Sequence, residues 1–229
     1  RIAGFLISGD KVYQAVVRLG QETDTYDDQG KVTASAEPPN LSRELLEGLL
    51  QRFMGPQLQL PPMYSAVKVG GKRLYERARA GEEVAREPRR VIVHELVLSD
   101  FSADTATLSV RSSKGFYVRT LAHDLGQALG CGGHLLALRR TQSGPFRLDQ
   151  AITLADLEQR EAAGADVPLI SEEEALAELP ALALTAEQAL KAARGAPLEL
   201  PCPGGVVRLL GPDRQLIALV DTGDHGRLK

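Results

Sequence analysis

The sequence predicts an α+β fold: a mixed, mainly antiparallel sheet with helices packed on it, followed by a small β-rich domain. Three observations carry this expectation. Residues 89–99 and 104–112 are rich in alternating β-branched side chains and are linked by the polar run Ser99-Asp100-Phe101-Ser102-Ala103-Asp104, the pattern of a hairpin of long strands. Residues 43–54 and 116–129 place their leucines three and four apart, as helices with one apolar face do. After Pro180 the pattern changes to short strands around a single helix. A chain of 229 residues has room for one full domain and a small second one. Its 43% hydrophobic and 25% charged composition excludes intrinsic disorder and collagen-like repeats.

Element by element, Lys11 to Leu19 is β-rich with rough alternation, and the turn-rich, acidic run Gly20 to Gly30 leads to a short returning strand at Lys31-Val32-Thr33. Ser42 caps a helix over 43–54 that Gly55-Pro56 ends. Pro61-Pro62 opens an extended segment from Met63 to Val69, followed by Gly70-Gly71 and a basic helix from about Lys72 to Ala80. The helix over 116–129 stops at Gly130, and Gly132-Gly133 separates it from the stretch His134 to Thr141. Shorter helices are expected at 153–162, within 171–179 (with an acidic first turn that suits the helix dipole) and at 186–193. Strands follow near 205–210 and 215–220. The module after Pro180 is short for an independent core and is expected to pack on the main domain.

The net charge of −3 conceals an uneven distribution. Residues 64–90 carry eight Lys/Arg against four Glu, and residues 108–147 carry six against Asp124 alone. Residues 149–199 reverse the balance, with eleven acids against Arg160, Lys191 and Arg194. Such asymmetry suits a chain with one face for a polyanion, although solvated helix faces give the same pattern. No apolar run approaches the roughly 18 residues of a membrane span. The two cysteines, Cys131 and Cys202, have neither disulfide-scaffold nor zinc spacing, which suits a reducing cytoplasm. The chain opens Arg1-Ile2-Ala3-Gly4, with neither an initiator Met nor a signal peptide.

Chemistry concentrates in Ser112-Ser113-Lys114-Gly115-Phe116-Tyr117-Val118-Arg119-Thr120, where a strand passes through a glycine into a helix. Lys114 and Arg119 supply cationic donors and Tyr117 a ring and a hydroxyl, which together suit an anionic substrate carrying a planar base. The competing structural reading pairs Arg119 with a core acid such as Asp124. Lys11-Val12-Tyr13 sets a ring beside a cation, and Tyr64 with Lys68 lies on the extended segment; either can contact RNA or pack as ordinary strand. Asp24, Asp27 and Asp28 lack calcium-loop spacing and are expected to form a solvated turn. His94, His123, His134 and His225 form no HExxH pair or nucleophilic triad, and no P-loop or dinucleotide fingerprint occurs, so no metal and no cofactor is expected.

At these motifs the chain resembles the TruB family of tRNA pseudouridine synthases. The resemblance rests on Lys11-x-Tyr13 with Leu19-Gly20-x-x-Thr23-Asp24-Thr25, on Pro61-Pro62-x-Tyr64-Ser65-Ala66-x-Lys68, and on Gly71-Lys72-x-Leu74-Tyr75-Glu76-x-Ala78-Arg79. It continues through Ser113-Lys114-Gly115-x-Tyr117-x-Arg119-Thr120 with Asp124-Leu125-Gly126, and His134-Leu135-x-x-Leu138-Arg139-Arg140. It implies isomerisation of U55 in the TΨC arm of tRNA by base flipping, in a cytoplasmic, monomeric enzyme with no obligatory protein partner. It makes Tyr13 the ring that stacks on the flipped uracil and Tyr117 an active-site partner of the base. Arg119 corresponds to the arginine that pairs with the catalytic aspartate, Lys114 belongs to the same substrate motif, and Leu138 corresponds to a residue lining the uracil pocket. Tyr64, Lys68, Lys72, Arg73, Arg139 and Arg140 are the expected RNA contacts.

The implied domains are 1–179, a synthase catalytic domain with a tRNA-gripping insertion at 55–90, and 180–229, a truncated RNA-binding domain of PUA type. The family nucleophile is an aspartate in a Gly-x-Leu-Asp-Pro motif upstream of Lys11-x-Tyr13. No such motif occurs in the 229 residues, and none of Asp10, Asp24, Asp27 or Asp28 has its flanking residues. The expectation is a family member without its first segment, or else a catalytically inactive tRNA-binding module or folding assistant.

Overall fold

The computed structural model describes residues 2–223 apart from 83, 199 and 202, so Glu83, Cys202 and His225 lie outside the described residues. Its residues group into two compact units, Ile7–Asp149 and Gln150–Lys229 together with Arg1–Leu6. A short helix, α1 (Ala3–Ser8), precedes the first strand, β1 (Lys11–Leu19). A small ribbon follows, β2 (Gln21–Thr23) and β3 (Val32–Ser35), and then α2 (Arg43–Leu50), a 3-10 turn at Gln51–Phe53 and β4 (Gly55–Gln59). A second ribbon, β5 (Lys68–Val69) and β6 (Lys72–Arg73), leads into α3 (Leu74–Arg79). The long hairpin β7 (Arg89–Phe101) and β8 (Thr105–Ser112), the helix α4 (Val118–Leu129), and the strands β9 (Gly133–Ser143) and β10 (Phe146–Arg147) complete the larger unit.

Its main sheet has six strands in the order β10-β9-β1-β8-β7-β4, antiparallel throughout. The alternation along β1 turns Ala15, Val17 and Leu19 into the core, where they meet Val91, Val93, Leu108 and Val110 of the hairpin. Helices α2 and α4 cover that face with Leu46, Leu49, Leu50, Leu121 and Leu125, each buried leucine contributing about 1.5–3 kcal/mol of transfer free energy. Ser42 accepts the Leu45 amide at the start of α2, and Gly130 ends α4 in the left-handed region at φ 75°. Gly126 has a different purpose. A Cβ there would lie 2.0 Å from Gly133 N and 2.1 Å from Gly132 C, so a glycine is what lets α4 lie directly against the start of β9.

Three elements depart from the sequence expectation. The strand after the acidic loop pairs with Gln21–Thr23 as a separate ribbon, because Gly20 at φ 90° turns the chain out of β1. His134 to Thr141, whose composition carries no strand signal, is the centre of β9 and pairs along the whole of β1. The first five residues of the stretch 55–90 are β4, the edge strand of the main sheet, where Pro56 can be accommodated despite lacking an N–H.

In the other unit, α5 (Leu154–Ala162) and α6 (Glu172–Ala175) precede a three-stranded sheet of β11 (Ala181–Ala183), β12 (Val206–Leu210) and β13 (Leu216–Asp221). The helix α7 (Ala186–Ala193) packs on it through Ala189, and Leu184, Leu198 and Leu209 form its small core. β11 runs parallel to β12 and β13 antiparallel to it. Among the described residues no helix is long and apolar enough to cross a membrane.

Candidate active site

The register of the central strands gathers the expected aromatic and cationic side chains. Tyr13 lies directly opposite Arg140 of β9, and Ala15 opposite Leu138, so Tyr13, Leu138 and Arg140 share the face of the sheet that carries the core. Burial pushes the Tyr13 phenol above its ordinary pKa, while the charge of Arg140 and a hydrogen bond from it act in the opposite direction. Leu138 is 47% exposed at this rim. Lys11 stands at the same end of β1, where Nζ donates to the carbonyl of Gly9 at 2.6 Å. Partial burial, then the neighbouring charges of Arg140 and Lys114, draw its ammonium pKa down against the pull of Asp10. Arg139, one residue from Arg140, pairs with Gln14 and faces the other side of the sheet. It lines a cavity of about 310 Å³ there with Gln14, Thr141, Arg147, Leu148 and Asp149.

Arg119 occupies the first turn of α4 and is held from three directions. Nη1 donates to Asp27 Oδ2 at 2.9 Å and to the carbonyl of Thr25 at 3.4 Å, while Nη2 donates to the carbonyl of Tyr64 at 2.7 Å. The Arg119 and Asp27 side chains are 24% and 23% exposed, neither surface groups nor sealed away. Asp27 corrects the expectation of a uniformly solvated acidic turn. Asp24 and Asp28 are exposed, but Asp27 is turned inward, and its Oδ1 accepts from Thr25 Oγ1 at 2.6 Å and from the Gln29 amide at 3.2 Å. Thr23, itself buried, donates to the Asp27 carbonyl at 2.7 Å. Asp124 is not the partner of Arg119. It lies further along α4, and desolvation raises its carboxyl pKa while His123 opposes that shift.

Tyr117 sits at the N-cap of α4, and a side chain with no motif of its own fixes its backbone. Gln59, at the end of β4, accepts the Tyr117 amide at 2.7 Å and donates to the Tyr117 carbonyl at 3.1 Å, while Thr120 Oγ1 donates to the carbonyl of Leu60 at 3.2 Å. The segment 59–65 is therefore docked along the start of α4. The expected RNA contacts further on are less alike than their charges suggest. Lys68 and Lys72 stand exposed on the β5-β6 ribbon, whereas Arg73 donates to the Tyr75 hydroxyl at 3.0 Å and lies over its ring.

Asp27 and Gln59 were not identified from the sequence. The signal for Asp27 was its place after Thr23-x-Thr25, whose hydroxyls hold it; the partner of Gln59 is a backbone 58 residues away, for which no local pattern exists. Among the described residues no group of three or more His, Cys, Asp or Glu is placed to hold a metal ion.

Comparison with known proteins is consistent with this arrangement. Residues 1–118 match the family model described as TruB family pseudouridylate synthase (N terminal domain), and residues 119–191 match tRNA pseudouridylate synthase B C-terminal domain. The chain is 42% identical over 234 residues to a tRNA pseudouridine synthase B of Stutzerimonas stutzeri, covering 100% of this chain and 76% of that one. It is 47% identical over 210 residues to the protein of that name from Azoarcus sp., covering 91% and 70%. Among solved structures, a Cbf5-Nop10-Gar1 complex contains a chain that superposes with a TM-score of 0.72 at 24% identity, covering 99% of this chain and 64% of that chain. An H/ACA RNP bound to a substrate RNA containing 2'-deoxyuridine gives 0.68 at 21%, covering 97% and 62%. The chain thus spans a little under two thirds of the length of these two structural neighbours, and the likeness to them is one of fold.

Proposed function

The chain belongs to the TruB family of pseudouridylate synthases, and on that premise we propose that it isomerises uridine to pseudouridine in tRNA, at U55 of the TΨC arm. The observation that carries this reading is the Arg119–Asp27 pair at the start of α4, two residues after Tyr117, together with Tyr13, Leu138 and Arg140 on one face of the central strands. An enzyme that works on a base within structured RNA must take that base out of its stack, give it a new stacking partner and neutralise the displaced phosphates. Tyr13 supplies the ring, with Leu138 as an apolar wall and Tyr117 on the facing segment. Lys11, Lys114 and Arg140 supply positive charge around the ring, and Lys68 and Lys72 extend it along the β5-β6 ribbon as a grip on the tRNA arm.

In this reading an aspartate attacks the extruded nucleotide, the freed uracil turns, and a C–C glycosidic bond replaces the C–N bond. The reaction is an isomerisation, so atoms balance without a cofactor. Arg119 serves as the partner of that carboxylate. A guanidinium has five N–H donors, and those engaged by Asp27, Thr25 and Tyr64 hold it still while it presents its remaining edge. The 180–229 segment serves as a PUA-type RNA-binding module.

The test is conversion of a tRNA transcript, read as pseudouridine by mass spectrometry of the digested RNA, with Arg119→Ala alongside. The reading expects product from the parent enzyme and a sharp fall in turnover for the variant; unchanged turnover in Arg119→Ala overturns the role of Arg119. A second reading is salt-sensitive tRNA binding without product, carried by the basic residues of 64–90 and 108–147. The same assay, run with this chain, separates the two.

A further inference from the structure

Helix α4 offers two side chains, one turn apart, to the loop between β2 and β3. Arg119 takes Asp27, and His123, four residues on, takes Tyr26, its ring 4.0 Å from the Tyr26 ring between centroids and 8° from parallel. Neighbouring loop residues thus meet neighbouring turns of one helix. The backbone at Tyr26 makes this costly, because its φ of 63° lies in the left-handed region that a bulky side chain rarely adopts. That conformation sends two successive peptide groups to β9. The Tyr26 carbonyl accepts the Leu135 amide at 3.0 Å, and the Asp28 amide donates to the Leu135 carbonyl at 3.0 Å, with Asp27 between them. His123 Nδ1 is buried without a hydrogen-bond partner, and the contact that the imidazole makes with the loop is through the face of its ring.

We infer that the Tyr26–His123 stack is a latch that holds Asp27 against Arg119, making Tyr26 and His123 positioning residues of the site. A glycine or asparagine would take the left-handed conformation at position 26 without strain, and the ring contact accounts for a tyrosine there. The link to catalysis rests on the proposed synthase activity; the link between the ring contact and the loop does not.

The experiment compares His123→Ala, His123→Leu and His123→Phe. Leucine restores bulk without a flat ring, and phenylalanine restores the ring without the buried nitrogen. Amide hydrogen exchange at Asp28 and Leu135, measured on this chain, reports loop opening without reference to activity. His123→Ala and His123→Leu are expected to raise both exchange rates about tenfold, the factor corresponding to a lost ring pair of about 1.4 kcal/mol, and His123→Phe to restore them. In the tRNA conversion assay the same two variants are expected to lower kcat about tenfold with KM for tRNA unchanged, again rescued by phenylalanine. Unchanged exchange in His123→Ala, rescue by leucine equal to that by phenylalanine, or a loss confined to KM would each overturn the latch. If the parent enzyme forms no pseudouridine, the functional proposal fails and the exchange rates still decide the latch; if His123→Ala does not fold, the leucine and phenylalanine variants decide it.

Discussion

Replacing Asp27 by asparagine preserves the shape of the side chain and removes its charge. At 2.9 Å the gross attraction of two unit charges at an effective dielectric of about 20 is about 6 kcal/mol, most of it offset by desolvation. Exposed pairs contribute about 0.2–1 kcal/mol, and deleting one partner of a buried pair costs about 3–5 kcal/mol. With the two side chains 24% and 23% exposed, the loss falls between these limits, at about 2 kcal/mol. The substituted amide's oxygen would still accept from Thr25 Oγ1 and the Gln29 amide, which turns its NH2 toward Arg119 Nη1, so the loss reports the ion pair together with this donor-to-donor contact, while Arg119 still reaches the carbonyls of Thr25 and Tyr64. The assay is urea denaturation of the parent, Asp27→Asn, Arg119→Met and the double variant. A coupling energy of about 2 kcal/mol is expected in the cycle. Additivity within about 0.5 kcal/mol would show that the two groups do not act on each other and would refute the reasoning.

Three further perturbations test how the site is supported. Gln59→Met leaves the amide and carbonyl of Tyr117 without their partner and is expected to cost about 2 kcal/mol in denaturant unfolding, and Gln59→Glu, which buries a carboxylate with one oxygen against the Tyr117 carbonyl, costs at least as much. Gly126→Ala forces a methyl into the backbone of Gly132 and Gly133 and is expected to cost about 3 kcal/mol or to abolish soluble expression; a thermal midpoint unchanged from the parent would show that α4 and β9 part freely. Asp124 has a carboxyl pKa raised by desolvation above its ordinary value of 3.8. A raised folded-state pKa means that the native state holds the proton more tightly than the unfolded chain does. The resulting stabilisation is present below pH 3.8 and is lost as pH rises through the folded value. Asp124→Asn is therefore expected to raise the thermal midpoint at pH 7 and to lose that advantage as the pH approaches 3.8, where the parent carboxyl is also becoming neutral. An equal or lower midpoint at pH 7 would contradict it.

Much of the architecture was legible because its signals are local. Alternation along Lys11 to Leu19 marks β1, the β-branched runs on either side of Ser99 to Asp104 mark the long hairpin, Ser42 marks the start of α2, and Gly130 marks the end of α4. Each depends on residues within one or two turns of chain, and the same holds for the sequence motifs around Tyr13, Tyr64, Tyr117 and Leu138 that carry the family resemblance. The stretch Leu135-Leu136-Ala137-Leu138-Arg139-Arg140 has the composition of a helix and became a strand, because the exposed edge of β1 on that side offers a full ladder of backbone hydrogen bonds.

The separation of Arg139 from Arg140 was decided at the level of the folded sheet, since direct pairing of Tyr13 with Arg140 places that arginine on the core face and turns its neighbour away. The inward turn of Asp27 was decided there too. Its partner lies 92 residues along the chain, and its two acidic neighbours share its composition without sharing its place. By itself the sequence determined most of the elements, the charge map and the family, all written in short-range pattern. Only the tertiary structure decided which acid faces Arg119 and which ring covers His123, because burial and pairing across distant segments arise once β1, α4 and β9 are packed together.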